Sequence, residues 1–189
     1  NVDCKPLFLY QFALMGKVYM EKVLNIENPK IALINIGTEQ GKGNKLVIDT
    51  YDILNKTDLN FIGSVEARDV LRNNSDILLC DGFVGNVVLK LTEGVMSELM
   101  GQIKAELLKT TKGKLGGLMI KDSVRQLKKR FDYSEHGGAP LLGLRSPIIK
   151  AHGSSNDLAI KNAIRQSKLF FDNKVNEMII EQLDMGGEI

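Results

Sequence analysis

The chain has 189 residues, of which 43% are hydrophobic and 25% are charged, and its net charge at pH 7 is only +2. These proportions are ordinary for a protein that buries a core, so disordered and fibrous classes are excluded. The weak net charge and an aromatic content of 6%, with no tryptophan, argue against a nucleic-acid partner.

The two cysteines, Cys4 and Cys80, lie in no CxxC motif and at no metal-ligand spacing from a histidine. Free thiols suit a reducing cytosol, and no apolar run reaches the length of a membrane span. We therefore expect a cytoplasmic protein without a metal or another cofactor. The chain opens at Asn1 in a loop-like segment, so we also expect it to lack an N-terminal segment of a longer protein.

Segments with helical and strand-like patterns alternate along the chain. In chain order, the predicted elements are helix 6–24, strand 30–36, helix 44–56, strand 59–65, helix 66–73, strand 76–81, helix 86–110, helix 122–131, strand 147–151 and helix 156–183. Three glycines interrupt the pattern in 112–121, and 135–146 is predicted to be irregular. This alternation predicts an α/β fold with a doubly wound, mostly parallel sheet.

Glycine-rich or polar turns follow three of the predicted strands, at 37–44, 81–86 and 152–156. Ligands of parallel sheets bind at the carboxyl ends of the strands, and helix N-termini attract anions. We therefore expect the three turns to share one edge of the sheet and to form an anion site. In this site Lys42 would supply a positive charge, and Asn86 and Ser154 would supply neutral hydrogen-bond donors. The remaining candidate binding residues are Gly41, Gly43, Asn44, Asp81, Gly82, Gly85, His152 and Gly153.

Each turn also has a purely structural interpretation. The first is an ordinary solvated turn, and the second is a left-handed turn with Asp81 as the cap of the next helix. In the third, Ser154, Ser155 or Asn156 is an N-cap, and His152 is either a catalytic base or a structural residue. The sequence has no P-loop, GxGxxG or GxSxG motif.

Seven phrases carry a family resemblance when they are taken together and in order. They are residues 2–6, 11–16, 35–44, 61–69, 80–90, 137–143 and 149–155. They resemble the phosphate acyltransferases of bacterial phospholipid synthesis, the PlsX family. The resemblance extends from residue 1 to about residue 182.

The resemblance implies a reaction in which acyl-[acyl-carrier protein] and inorganic phosphate give acyl-phosphate and free carrier protein. It also implies a homodimer and a fold similar to isocitrate and isopropylmalate dehydrogenases and phosphotransacetylase. Because family members are longer, residues 1–189 look like the C-terminal portion of one α/β enzyme. For this reaction Lys42 is the candidate for positioning phosphate or stabilising the oxyanion. Asn86 and the amides of 82–85 are the candidate donors.

A segment at 112–131 combines apolar and basic residues and is predicted to protrude. Its candidate contact residues are Leu115, Leu118, Met119, Ile120 and Lys121. It is either a peripheral membrane or partner contact, or the tip of a helical hairpin that packs in a dimer interface. Two other functions remain open: a phosphotransacetylase-like or dehydrogenase-like enzyme acting on a small acid, and a non-catalytic dimerising or carrier-binding fragment.

Overall fold

A parallel three-stranded sheet with helices on both faces forms the centre of the protein. The computed structural model describes residues 1–72, 75–130 and 137–185. The helices are α1 (Pro6–Lys22), α2 (Lys45–Leu54), α3 (Gly82–Leu108), α4 (Thr111–Arg130), α5 (Asp157–Asp172) and α6 (Val175–Met185). The strands are β1 (Ile31–Asn35), β2 (Phe61–Glu66), β3 (Ile77–Leu79), β4 (Ala139–Pro140) and β5 (Ile149–Lys150).

The parallel sheet has the order β2-β1-β3, and every residue of the central strand β1 is buried. A continuous apolar run is what a strand covered on both faces requires. The register shifts between Ile31, which pairs with Phe61, and Leu33, which pairs with Ser64. The extra β2 residue of this bulge is accommodated at Gly63, whose φ is +95°. The predicted α/β class with a parallel sheet is therefore confirmed.

One face of the sheet is covered by α1 and α2. Pro6 stands at the start of α1, where its fixed φ and missing N–H suit a first helical position. Leu9 and Ala13 of this helix belong to the same buried cluster as Ile31 and Leu33 of β1. Burial of such side chains stabilises the fold by roughly 1.5–3 kcal/mol for each large aliphatic residue.

On the opposite face, Ala32 and Ile34 of β1 pack with Val65 of β2. Cys80, just after β3, and Val84, in the first turn of α3, are packed against this cluster. Burial, helped by the neighbouring carboxylate, raises the pKa of the Cys80 thiol to about 11. The thiol is therefore a neutral packing group at physiological pH.

A second core joins α1 to the C-terminal helices. Val18 of α1 packs with Phe170 of α5 and Val175 of α6. The predicted single helix 156–183 is in fact two helices, which are separated at Lys174, where φ is +51°. A left-handed residue ends a helix without disturbing the spacing of its apolar residues, so the sequence pattern did not reveal the break.

β4 and β5 form their own antiparallel pair, in which Ala139 is opposite Lys150 and Pro140 is opposite Ile149. The prediction that strand 147–151 joins the parallel sheet is therefore wrong. Proline has no N–H to donate, so a ladder that passes through it ends quickly. The segment is too short for its side-chain pattern to indicate which strand it pairs with.

The helix boundaries after β3 also differ from those predicted. Because α3 begins at Gly82, residues 82–85 form its first turn instead of a left-handed turn. α4 continues through 112–121 despite the glycines there. A methyl group on Gly113 would stand 2.3 Å from the Leu107 carbonyl oxygen of α3, so this glycine allows the two helices to approach each other.

The predicted helix 66–73 is reduced to one 3₁₀ turn, Ala67–Asp69. Residue 73, the last of this predicted helix, lies outside the described part of the chain. So do residue 131 of the predicted basic helix and residues 135–136 of the predicted irregular segment. Such a turn suits the short connection between β2 and β3, because it adds a single turn before the chain enters the next strand.

Candidate anion-binding site

The carboxyl ends of β1, β2 and β3 meet at one edge of the parallel sheet. Asn35, the last residue of β1, pairs with Glu66 at the end of β2. On the other side, Leu33 of β1 pairs with Leu79, where β3 ends. The loop after β1 and the turn at Asp81 therefore share this edge, which is where parallel sheets bind ligands.

The loop after β1 turns back on itself before α2 begins. Gly41 and Gly43 have φ values of +86° and +109°, which side-chain-bearing residues rarely adopt. The Lys42 side chain folds over Gly37, where a methyl group would stand only 2.6 Å from Lys42 Cδ. The loop thus brings its one lysine back to the end of β1.

Lys42 forms an ion pair with Glu39, with 2.9 Å between Nζ and Oε1. The hydrogen bond and charge of Glu39 raise the pKa of Lys42, and the same hydrogen bond lowers the pKa of Glu39. Lys42 is therefore fully charged at neutral pH. The two side chains are 52% and 63% exposed. Because an exposed ion pair contributes little to stability, the contact with Glu39 holds the Lys42 side chain only weakly.

The N-terminus of α2 lies directly after this loop and is free of acidic groups in its first turn. Asn44 caps it, since the Val47 amide donates to Asn44 Oδ1 at 3.0 Å. The cap is neutral, so the partial positive charge of the helix end is not cancelled by a carboxylate. Lys42 and the α2 N-terminus together form the most anion-compatible part of the edge.

The N-terminus of α3 is arranged differently. Asp81 caps it, with its carboxylate accepting from the Val84 amide at 2.8 Å. The Gly82 amide donates to the Asn1 carbonyl at 2.7 Å, and the Gly85 amide donates to the Asp81 carbonyl at 3.0 Å. Three of the four amides predicted as donors are thus engaged within the chain. The structural interpretation of Asp81 as a helix cap is confirmed.

Asn86 lies in the second turn of α3 with its side chain exposed. Gly82 and Gly85, which precede Asn86, are in close contact with neighbouring groups. A methyl group on Gly82 would stand 2.7 Å from the Asn1 carbonyl oxygen, and one on Gly85 would stand 3.1 Å from Cys80 Sγ. Both glycines therefore allow the start of α3 to pack closely against its neighbours.

The third predicted turn follows β5 and so belongs to the antiparallel pair, not to the edge of the parallel sheet. His152 Nδ1 lies 2.7 Å from Ser154 Oγ and accepts from the Ser154 amide at 3.2 Å. Asn156 caps α5 by accepting from the Ala159 amide at 2.9 Å. The expectation that three turns share one sheet edge is therefore wrong for this turn, and the N-cap interpretation holds for Asn156.

Two residues at the parallel-sheet edge, Asn35 and Arg68, were not identified from the sequence as site residues. Asn35 is 8% exposed and joins the loop to β2 through Ser64. Arg68 is exposed, and its Nε lies 3.0 Å from Glu66 Oε2. The sequence signal was present, because Asn35 is the polar residue at the end of an otherwise apolar strand.

The predicted contact residues of 112–131 lie on α4. Leu115, Leu118 and Met119 are largely exposed, and so is Lys121. α4 packs on α3, which has no buried residue of its own. A shallow groove of about 410 Å³ runs along α3, lined by Lys90, Leu91, Gly94, Val95, Glu98, Leu99 and Gln102. This groove lies away from the sheet edge and exposes an apolar helix face.

Within the described ranges, no group of three or more histidine, cysteine or acidic side chains has the arrangement of a metal site. In the same part of the chain, no helix combines the length and apolar character needed to span a bilayer.

Comparison with known proteins identifies the family. A family model described as "Fatty acid synthesis protein" matches residues 1–178. The chain belongs to this family. A protein of Clostridioides difficile strain 630 named "Phosphate acyltransferase" is 55% identical over 179 residues, which cover 95% of this chain and 53% of that protein. Membership of the phosphate acyltransferase family, which the seven phrases indicated, is confirmed.

Two further relatives agree with this assignment. Proteins of the same name from Brevibacillus brevis strain 47 and Clostridium botulinum strain Langeland are each 51% identical over 183 residues, which cover 97% of this chain and 55% of theirs. The chain therefore spans about half the length of the curated relatives it matches.

Proposed function

We propose that the protein containing this chain transfers an acyl group from acyl-[acyl-carrier protein] to inorganic phosphate, as part of bacterial phospholipid synthesis. The relatives named phosphate acyltransferase support the activity. The observation that carries the proposal is the position of Lys42, which lies beside the carboxylate-free N-terminus of α2 at the carboxyl edge of the sheet. An ammonium group and free helical amides bind phosphate well.

The reaction in this site needs no covalent enzyme intermediate, because phosphate is itself a nucleophile. One phosphate oxygen attacks the thioester carbonyl carbon, and negative charge develops on the carbonyl oxygen. Collapse of this tetrahedral intermediate breaks the C–S bond and gives acyl-phosphate. The proton of the monohydrogen phosphate ends on the departing thiol. The site therefore acts by positioning the two reactants and stabilising charge.

Lys42 leaves Glu39 and binds the attacking phosphate, whose negative charge exceeds that of one carboxylate. The Lys45 and Leu46 amides at the start of α2 donate to the same phosphate. Asn86, in the second turn of α3, donates to the developing oxyanion. His152, Gly153 and Ser154, on the turn after β5, remain candidate substrate-binding residues in this proposal. Asn86→Ala should lower kcat with little change in the KM for phosphate, and an unchanged kcat would remove Asn86 from the mechanism.

The test of the phosphate site is Lys42→Ala in the full-length protein. Free carrier-protein thiol is measured against phosphate concentration, with Lys56→Ala as the control, since Lys56 is an exposed lysine beyond the other end of α2. We expect Lys42→Ala to lower kcat/KM for phosphate by about 10- to 100-fold, which is the loss of one charge-assisted contact. Equal activity of the two variants would reject the assignment.

Parallel assays with acetyl-coenzyme A and with long-chain acyl-[acyl-carrier protein] separate the proposed activity from that of a phosphotransacetylase-like enzyme on a small acid.

We also propose the architecture shared with isocitrate and isopropylmalate dehydrogenases and phosphotransacetylase. The parallel order β2-β1-β3, with its ligand edge at the strand ends, supports it. An experimental structure of the full-length protein with a different strand order would contradict it.

We further propose that the α3 face is a homodimer interface and that the α4 residues touch a membrane or the acidic carrier protein. The exposed apolar residues Leu91, Val95 and Leu99 support the dimer, because faces of this kind are stable when they are covered. Val95→Glu should shift the sedimentation of the full-length protein towards the monomer. If the dimer persists unchanged, its interface lies elsewhere.

A further inference from the structure

Asn35 is a buried amide at the end of an otherwise apolar strand. Its Nδ2 donates to the Lys42 carbonyl at 2.9 Å and to Ser64 Oγ at 3.3 Å. Its Oδ1 accepts from the Ile36 amide at 2.8 Å. A buried amide is tolerated when its polar atoms are satisfied, and here both atoms of the side chain have partners.

These contacts close the loop into a ring. The loop leaves the sheet at Ile36 and returns at Lys42, and the Asn35 side chain binds the main chain at both points. The following residue, Gly43, lies directly against the same amide, because a methyl group there would stand 2.5 Å from Asn35 Oδ1. Ser64 adds an anchor on the neighbouring strand β2.

The ring matters because the other contacts that hold Lys42 are weak. Its amide donates to the Glu39 carbonyl at 3.3 Å, which is long for such a bond. Its side chain is about half exposed, and its ion pair with Glu39 is of the weak surface type. Two left-handed glycines flank it, and glycine has more backbone freedom to lose than any other residue. A loop that is not held in place must be ordered when phosphate binds, and the cost of that ordering weakens the binding.

We propose that Asn35 is a positioning residue, which closes the 36–43 loop in advance and so holds Lys42 where phosphate binds. The inference rests on the proposed phosphate-binding role of Lys42. Asn35 itself does not touch substrate in this proposal. Its loss should therefore raise the KM for phosphate while leaving kcat at saturating phosphate largely intact.

The experiment compares Asn35→Ala and Asn35→Asp with Thr50→Val in the full-length protein. Asn35→Asp keeps the shape and the acceptor for the Ile36 amide but loses the donor to the Lys42 carbonyl. Thr50 is fully buried in α2, and its hydroxyl donates to the Leu46 carbonyl at 2.6 Å. Thr50→Val therefore removes a buried hydrogen bond away from the loop and controls for simple destabilisation.

We expect both Asn35 variants to raise the KM for phosphate about tenfold or more, whereas Thr50→Val lowers only the melting temperature. Amide hydrogen exchange in 36–43 should accelerate in the Asn35 variants and stay slow in the control. An unchanged KM, or unchanged exchange in the loop, would overturn the proposal. Asn35→Asp keeps the test valid if Asn35→Ala does not fold.

A double variant separates this inference from the proposed function. If Asn35 acts through Lys42, then Asn35→Ala combined with Lys42→Ala should use phosphate no worse than Lys42→Ala alone. Additive losses would overturn the positioning role. If Lys42→Ala has no effect on phosphate use, the proposed phosphate site fails. The exchange measurement still decides on its own whether Asn35 closes the loop.

Discussion

Gly43 lies directly against the side chain of Asn35, so that a methyl group at Gly43 would stand 2.5 Å from Asn35 Oδ1. Gly41, two residues earlier, also has a positive φ, but it faces open space. The two glycines differ in their surroundings while they share a left-handed backbone. Substitutions at these two glycines therefore distinguish the cost of a steric clash with Asn35 from the cost of a left-handed backbone.

We predict that Gly41→Ala costs about 1–2 kcal/mol through backbone strain alone. Gly43→Ala carries the same strain and also displaces Asn35, so it should cost clearly more and weaken phosphate binding. Chemical denaturation and the KM for phosphate measure the two effects. Similar losses in both variants would mean that the contact with Asn35 is not important.

Gln166 and Tyr19 join α5 to α1 inside the second core. Gln166 Nε2 donates to Tyr19 Oη at 2.8 Å, and Gln166 is buried. Tyr19→Phe should destabilise the protein by about 1–3 kcal/mol, because the buried amide loses its acceptor. Tyr19→Phe combined with Gln166→Leu should recover part of this loss. Equilibrium denaturation of the single and double variants provides the measurement.

Cys80 gives a prediction about alkaline pH. Its pKa rises from an ordinary value of 9.0 to about 11, chiefly through burial. The unfolded chain therefore releases this proton first, and stability should fall between pH 9 and about pH 11 while remaining unaffected below that range. Thiolate absorbance in a Cys4→Ser background reports the titration. Subtracting the Cys4→Ser, Cys80→Ala curve removes the contribution of tyrosine.

Leu118 on α4 gives a test of membrane contact. Its side chain is 68% exposed, and Ile164 on α5 is 67% exposed, so the two positions are matched in exposure. Leu118→Glu should abolish co-flotation with anionic liposomes, because a carboxylate at the surface opposes both apolar insertion and charge attraction. Ile164→Glu should leave co-flotation intact. If both variants float like the parent protein, the membrane contact is rejected.

The class of fold was predictable because burial imposes a simple pattern on β1 and on the helices around it. Every residue of β1 is buried, and its apolar run reported this directly. The pairing of β5 was not predictable, because a two-residue ladder leaves no periodic signal. The break at Lys174 depends on one backbone angle, which apolar spacing does not record.

The position of the Lys42 loop at the sheet edge was predictable, and the hydrogen bonds around the candidate site were less so. The loop around Lys42 lies at the expected edge because the strand before it is central and parallel. At the start of α3, by contrast, the Gly82 amide is taken by the carbonyl of Asn1, which is distant in sequence. Contacts between remote segments decide which amides remain available, and no local pattern reveals them.

The length of α3 sets the distance between the sheet edge and the turn that joins α3 to α4. Its 27 residues carry its far end about 40 Å from Asp81 at the sheet edge. If the turn between α3 and α4 rests on a bilayer with α3 upright, the proposed phosphate site is held well above the lipid headgroups. That clearance exceeds the diameter of a small domain, about 30 Å. In the proposed enzyme, this height leaves room for a small domain at the sheet edge while the turn between α3 and α4 rests on the membrane.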